Sequence, residues 1–368
     1  MRYHARAAVL RTHGGAMRIE PVEIDAPRHG EVLIKIAATG ICHTDMVMRD
    51  GHLPIPTPVV LGHEGAGHVV EIGTGVTHVR VGDPVLLSFA NCGVCRSCTA
   101  HEPAYCHNFV PLNFLGARAD GSTALHGADG PIHSHIFGQS AFATHAIASA
   151  SNVVKAPPDL PIERLGPLGC GIQTGAGAVL NSLRVQAGST VLVMGAGAVG
   201  LSAVMAARIV GASEIVAIDL SETRLALSRE LGATRAIKSD GRSVSELLNA
   251  AGLSGADYII DTTGVARLAQ EAVAALCPRG TLALVAAYPP GAALNLDAAF
   301  MMSAGRRVIG VVEGGSDPQK FIPELIAYHK RGLLPFDRMI ETFAFENLHQ
   351  AIEAGESGRV VKPVVLMG

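Results

Sequence analysis

Tryptophan is absent from this chain of 368 residues, and only 4% of its residues are aromatic. Charge is scarce too, at 17% of residues with a formal net charge of -3. Without a basic excess there is no electrostatic footprint for nucleic acid and no tail for acidic lipids. The longest apolar stretch, Val191–Ala207, is short of the about 20 residues that a membrane-spanning helix needs, and glycines interrupt it. The opening MRYHARAAVLRTHGG lacks the apolar core of a secretory signal. Cysteine is limited to seven residues, an odd number. With spacing suited to metal rather than disulfides, this points to a reducing, cytoplasmic setting. Nucleic-acid and membrane partners are therefore not expected.

What remains is a chain rich in aliphatic residues. Hydrophobic types make up 48% and glycine contributes 42 residues. That length exceeds the usual single core, so two domains are expected. The sharpest local feature is Cys92-x2-Cys95-x2-Cys98-x7-Cys106. Thiolates packed this closely are poor disulfide partners and good ligands for one tetrahedral zinc. All four positions are protein atoms, so substrate has no access, and the site reads as a structural clip. A zinc-ribbon module gripping nucleic acid would share the cysteines but needs positive charge, which is missing.

The first part, to about Val154, reads as short strands such as Glu31–Ala37 and His68–Ile72, with little helical periodicity. Ala156-Pro157-Pro158 and Leu160-Pro161 mark a break. From Gly188 strands alternate with helices. Strands are expected at Val191–Met194, Glu214–Asp219, Tyr258–Asp261, Thr281–Ala286 and Arg307–Val311. Helices are expected at Val199–Val210, at Glu222–Leu231 between the cap Ser221 and the stop Gly232, and at Pro318–Lys330, before a closing strand Pro363–Met367. This alternation predicts an α/β fold with a doubly wound parallel sheet.

Gly195-x-Gly197-x-x-Gly200 sits between a strand and a helix, and Asp219 ends the next strand. That is the context of a dinucleotide site. The glycines allow a tight turn, backbone approach to a pyrophosphate, and close helix packing. The helix N-terminus faces the phosphates. Asp219 suits the adenosine ribose and repels a 2′-phosphate, so NAD is expected over NADP. Arg224 could reach the same ribose or stand in solvent, which leaves some NADP tolerance open.

A second metal site is suggested by Cys42, by Gly62-His63-Glu64, and by Gly169-Cys170-Gly171. Two thiolates and one imidazole leave a fourth position open, the arrangement of a catalytic zinc. Alone, Cys170 reads equally as a small buried hydrophobe. His133 and His135 lack further ligands nearby and read as loop residues.

With Gly62-His63-Glu64-Gly65-Ala66-Gly67, Gly73 and Val76, the cysteine cluster and the Gly195–Asp219 unit in this order, the chain resembles the zinc-dependent medium-chain alcohol dehydrogenases over essentially its whole length. The resemblance implies a GroES-like β-rich catalytic domain from residues 1–171 and 313–368, and a Rossmann NAD-binding domain at 172–312. It implies two zinc ions: a catalytic one on Cys42, His63 and Cys170, and a structural one on Cys92, Cys95, Cys98 and Cys106. Glu64 takes the position beside the metal, and Asp45 the position that orients His63. Thr44 takes the proton of the alcohol hydroxyl while hydride passes to the nicotinamide. Thr174, Val199 and Lys362 join the cofactor contacts, Lys362 near a phosphate. Many relatives carry a relay histidine where this chain has Val47. His43, His52 or water is left to substitute, and His43 also suits a phosphate contact.

Pro111-Leu112-Asn113-Phe114, Asp120-Gly121-Ser122 and Phe137-Gly138-Gln139-Ser140-Ala141-Phe142 are similar to bacterial aryl-, benzyl- and allylic (geraniol-type) alcohol dehydrogenases. The implied small-molecule partner is an alcohol with its aldehyde, its hydroxyl primary and conjugated to a ring or double bond. Phe89, Asn113, Ile136, Phe137 and Tyr288 are pocket candidates, each equally suited to core. Long aliphatic alcohols and a glutathione-adduct (formaldehyde-type) substrate are the alternatives, and the latter needs cationic pocket residues. A zinc-free quinone reductase of the same fold would lack the ligands. Self-association to a homodimer or homotetramer is expected through the edge strand Arg307–Val311.

Overall fold

The computed structural model describes residues 2–368. Two compact units divide the chain. One holds the chain up to Cys170 with Asp317–Ile326 and Asp337–Gly368, and the other holds Gly171–Ser316 and Ala327–Phe336. The excursion of residues 327–336 into the second unit has no counterpart in the boundary expected at 313.

The first unit is built on β-strands. Glu31–Gly40 is its central strand and is buried along most of its length. It pairs antiparallel with Glu64–Ile72, with His145–Ser149 and with the last strand, Lys362–Leu366. The chain end thus returns to the sheet that carries the first metal-ligand candidates. A five-stranded sheet, with Arg2–Leu10 and Arg18–Asp25 at its heart, completes the unit. Val32, Ile34, Val69, Leu87, Phe142 and Ile147 sit in the core they share. Two short helices here, His43–Arg49 and Phe109–Phe114, escaped the sequence reading because neither is long enough to show a period.

The second unit is a six-stranded parallel sheet. Its order from one edge is Arg235–Lys238, Glu214–Asp219, Thr190–Met194, Ala256–Asp261, Leu276–Leu284 and Arg307–Gly310. In chain order of these strands that is 3-2-1-4-5-6, the doubly wound arrangement of dinucleotide folds. Strand Thr190–Met194 is apolar because both of its faces are covered. The helix Glu222–Leu231 begins at Ser221, whose hydroxyl accepts from the Arg224 amide, and stops at Gly232, where φ is 126°. Strand Leu276–Leu284 begins and ends earlier than the expected Thr281–Ala286. Arg307–Gly310 is the outermost strand. Among the described residues no helix is long and apolar enough to cross a membrane.

Candidate active site and metal centres

Three turns of the first unit bring Cys42, His63 and Cys170 together. Cys42 follows the central strand and precedes the helix His43–Arg49 as its cap residue. His63 sits just ahead of strand Glu64–Ile72, after Gly62 at φ +90°, where a Cβ would strike the Phe142 ring at 2.5 Å. Cys170 ends a turn whose Gly166 and Gly169 lie so close to the Glu64 and Leu87 carbonyls that a Cβ would come within 2.1 and 1.9 Å of them. The ligand atoms of the three residues all lie within 4.8 Å of one another. The two sulfurs are 4.0 Å apart. Tetrahedral zinc with bonds of about 2.3 Å separates two sulfurs by about 3.8 Å.

The surroundings favour a cation. Asp45 is fully buried, and its Oδ1 accepts from His63 Nδ1 at 2.9 Å and from the Gly62 amide at 3.0 Å. Its Oδ2 accepts from the Cys42 amide. One carboxylate therefore holds two ligand segments and fixes the His63 tautomer. His63 Nε2 is left buried with no hydrogen-bond partner, an atom that asks for a metal. Burial opposes a charge on His63, but Asp45 and the Cys42 sulfur outweigh it and push its pKa well up. The Cys42 thiol is pulled well down by its contact with Cys170, against burial, and by His63.

Behind the ligands lies a buried ion pair that the sequence reading did not foresee. Lys362 Nζ donates to Glu64 Oε1 at 2.8 Å, to Glu64 Oε2 at 2.9 Å and to the Ile41 carbonyl at 3.0 Å. Burial disfavours its charge, yet the Glu64 carboxylate and the Cys42 sulfur outweigh that and hold it protonated. All three of its protons are engaged inside the first unit, in place of the phosphate contact that the resemblance implied. Gly40 makes room for this pair, since a Cβ there would lie 1.9 Å from Glu64 Oε2.

Gln139 was missed as well. Its Oε1 accepts from the Gly65 amide, and its Nε2 donates to the His63 and Ser88 carbonyls. The loop around it is strained: His135, Phe137 and Ser140 have φ of 67°, 51° and 57°. Side chains tolerate such angles only where their surroundings fix them. Here the product is the Phe137 ring stacked on His63 at 4.3 Å and 19°.

The four-cysteine lobe is shallower. Its sulfurs approach at 3.9, 3.5 and 3.9 Å, far beyond a disulfide bond, and every cysteine of the chain is free. Backbone amides of Cys92, Cys95, His107 and Asn108 donate to them. The Val94 amide leads in pulling Cys92 down to about 6, while burial leads in pushing Cys98 up to about 12. Four sulfurs this close suit a bound cation, which would deprotonate the thiols that burial otherwise keeps neutral.

The glycine loop of the second unit has a different geometry. Gly195 has φ +93°, and a Cβ on Gly200 would lie 1.8 Å from the Gly195 carbonyl. Gly197 faces open space, room for a phosphate that a side chain would fill. Asp219 accepts from the Ala196 amide at 2.6 Å and from the Ser221 amide at 2.7 Å, tying the glycine loop to the end of the next strand. Val199 is half-buried in the first turn of the helix Ala198–Ile209. Arg224 Nε is buried without a partner. Thr174 is buried and donates to Glu313.

The alcohol dehydrogenase GroES-like domain family matches residues 28–158, and the zinc-binding dehydrogenase family matches residues 198–327. Geraniol dehydrogenase of Castellaniella defragrans is 45% identical over 365 residues, covering 98% of this chain and 97% of that protein. This chain belongs to the zinc-dependent alcohol dehydrogenase family. Two crystal structures superpose over 100% of both chains. The alcohol dehydrogenase zinc-binding domain protein of Burkholderia ambifaria does so with 46% identity and a TM-score of 0.97. Benzyl alcohol dehydrogenase of Acinetobacter calcoaceticus does so with 41% identity and a TM-score of 0.96.

The other candidates of this alcohol dehydrogenase fall in diverse places. Thr44 is half-buried, and His43 and His52 are exposed. The amides of His52 and Leu53 both return to the Val47 carbonyl, at 3.0 and 3.3 Å. Of the pocket candidates, Phe137 touches a metal-ligand candidate. Phe89 and Ile136 are fully buried core. Asn113 is a buried clamp, bonded to both backbone groups of Ala90 and to the Phe109 carbonyl. Tyr288 lies in the second unit, where its hydroxyl donates to Asp261. The Asn113 amide and the Tyr288 hydroxyl are thus engaged in hydrogen bonds, while Phe89 packs on Phe109 with ring centroids 5.7 Å apart. His135 is a loop residue as expected, and a buried one: Nδ1 meets Ser134, and burial drives its pKa down to about 4.

Proposed function

We propose that this chain oxidises primary alcohols whose carbinol carbon adjoins an aromatic ring or a double bond, reversibly, with NAD as acceptor. The balance is one alcohol and NAD+ giving the aldehyde, NADH and a proton. The observation that carries the reading is the orphaned Nε2 of His63 beside two sulfurs 4.0 Å apart. Cys42, His63 and Cys170 would hold a zinc ion, which when bound would supply a Lewis acid able to lower the pKa of an alcohol hydroxyl. The chain does the rest. Asp45 keeps the imidazole oriented, and Lys362 balances the charge of Glu64 behind the thiolates. The Thr44 hydroxyl takes the alcohol's proton while releasing its own, and the exposed His52, whose backbone amide returns to the Val47 carbonyl, receives that proton and gives it to solvent. A second zinc on Cys92, Cys95, Cys98 and Cys106 holds the lobe. Gly195, Gly197 and Gly200 receive the pyrophosphate, and the Asp219 carboxylate favours NAD over NADP.

The substrate class draws on the two relatives, one acting on geraniol and one on benzyl alcohol, and on the aromatic ring placed against His63. The protein is read as a cytoplasmic homo-oligomer, paired through the free edge of Arg307–Gly310. The test is turnover of benzyl alcohol, cinnamyl alcohol, geraniol, ethanol and hydroxymethylglutathione with NAD and with NADP, alongside zinc content. Two zinc ions per chain and highest kcat/KM for the conjugated alcohols with NAD are expected. Preference for hydroxymethylglutathione overturns the substrate assignment. A single zinc confined to the cysteine lobe overturns the mechanism.

A further inference from the structure

Phe137 does not stand alone. Phe114 meets it edge-on with centroids 5.1 Å apart at 78°, and Phe109 meets it at 6.5 Å and 87°. Phe109 and Phe114 close the triangle at 6.2 Å. Phe137 is only 5% exposed, because His63 covers one of its faces. Phe109 and Phe114 are only half-buried, and the residue after each, Val110 and Leu115, is 63% and 57% exposed. A sheltered ring stacked on the imidazole thus leads outward to two open rings on a short apolar helix.

That helix belongs to the cysteine lobe. The Phe109 amide donates to the carbonyl of Cys106, the last sulfur ligand candidate, at 2.9 Å. Asn113 bonds both the amide and the carbonyl of Ala90, which precedes the first cysteine of the cluster. The same Asn113 amide holds the Phe109 carbonyl at 2.7 Å. Both ends of the cysteine loop therefore fix where the two rings stand.

We infer that Phe109 and Phe114, carried by the cysteine lobe, form the wall that recognises the π-face of the substrate. The inference rests on the alcohol-oxidising reading above and deepens it. A flat ring or conjugated double bond offers a face and an edge to the two phenylalanines, and a puckered saturated ring of the same size offers neither. The lobe then sets specificity as well as holding its own fold.

The discriminating measurement is the ratio of kcat/KM for benzyl alcohol to that for cyclohexylmethanol, taken on the zinc-loaded enzyme with NAD. Phe114→Leu and Phe109→Leu are each expected to lower that ratio by about two- to tenfold, the range of an aromatic pair. Phe114→Tyr keeps the ring and should keep the ratio. A wild-type ratio near one sinks the conjugated-alcohol reading and the wall together. A high wild-type ratio that survives both leucine variants sinks the wall alone, as does an equal loss on both alcohols, which is the signature of a merely structural role.

Discussion

The two thiol clusters of the first unit reach similar sulfur geometry by opposite means. In the four-cysteine lobe the neighbours of the sulfurs are backbone amides of the same short loop. Around Cys42, His63 and Cys170 the neighbours are side chains, Asp45 and Glu64 close by in the chain and Gln139 and Lys362 from distant segments. The first is self-contained and offers four sulfurs. The second offers three ligand atoms and relies on buried charges placed by the whole sheet. A site that does chemistry needs its charge tuned from outside its own loop, and a clip does not.

Removing one ligand from each cluster breaks the comparison most strongly. His63→Ala should remove one of two zinc ions and lower alcohol oxidation by roughly three orders of magnitude, since a Lewis acid supplies several kcal/mol at about 1.4 kcal/mol per decade. Cys98→Ser should also cost one zinc, but its main effect should be on melting temperature and aryl selectivity. Metal analysis with thermal melts separates the two; equal loss of activity would abolish the distinction. Next is Lys362→Met, which strips the cation from the buried Glu64 carboxylate. Breaking such a pair costs about 3–5 kcal/mol, or a fall in Tm of roughly 10 °C. Lys362→Arg should recover part of it. Asp45→Asn leaves His63 without its anchoring charge and should lower zinc affinity or activity about 10–100-fold, read by titration with a chelator.

The smallest effect concerns pH. His135 lies in the strained loop that presses Phe137 onto His63, and burial holds its pKa down at about 4, against about 6.5 unfolded. The unfolded chain binds the proton more readily, so stability is full above pH 6.5 and falls as pH drops toward 4. About 2 kcal/mol should be lost between pH 7 and pH 5. His135→Asn, which tolerates the left-handed backbone, should flatten that slope in denaturant titrations. An unchanged slope would place the acid-sensitive group elsewhere.

The same contrast explains what the sequence revealed. The cysteine lobe was legible because its ligands are close neighbours in the chain. The glycine loop was legible because Gly195 and Gly200 answer local backbone demands. The parallel strands showed as short apolar runs bounded by turns. Gln139 and the role of Lys362 were not legible. Each acts on a carbonyl, amide or carboxylate far away in the chain, and residue type alone cannot say which. Lys362 was expected to face a phosphate and instead turns inward to Glu64. The aromatic wall was half-seen: Phe137 was placed in the pocket and Phe114 stood in a segment of the resemblance without a role, while Phe109 escaped because a six-residue helix gives no periodic signal.

Gly40 leaves a trace in descent. With only a hydrogen where any other residue would intrude on the Glu64 carboxylate, the two positions are locked together. A lineage that retains the acid at 64 in this ion pair should favour glycine at 40, since a larger residue would push the carboxylate off Lys362, and one that loses the acid is released to vary there. Pairwise drift at these two sites among descendants would therefore record when a member of the lineage gave up its buried counter-charge.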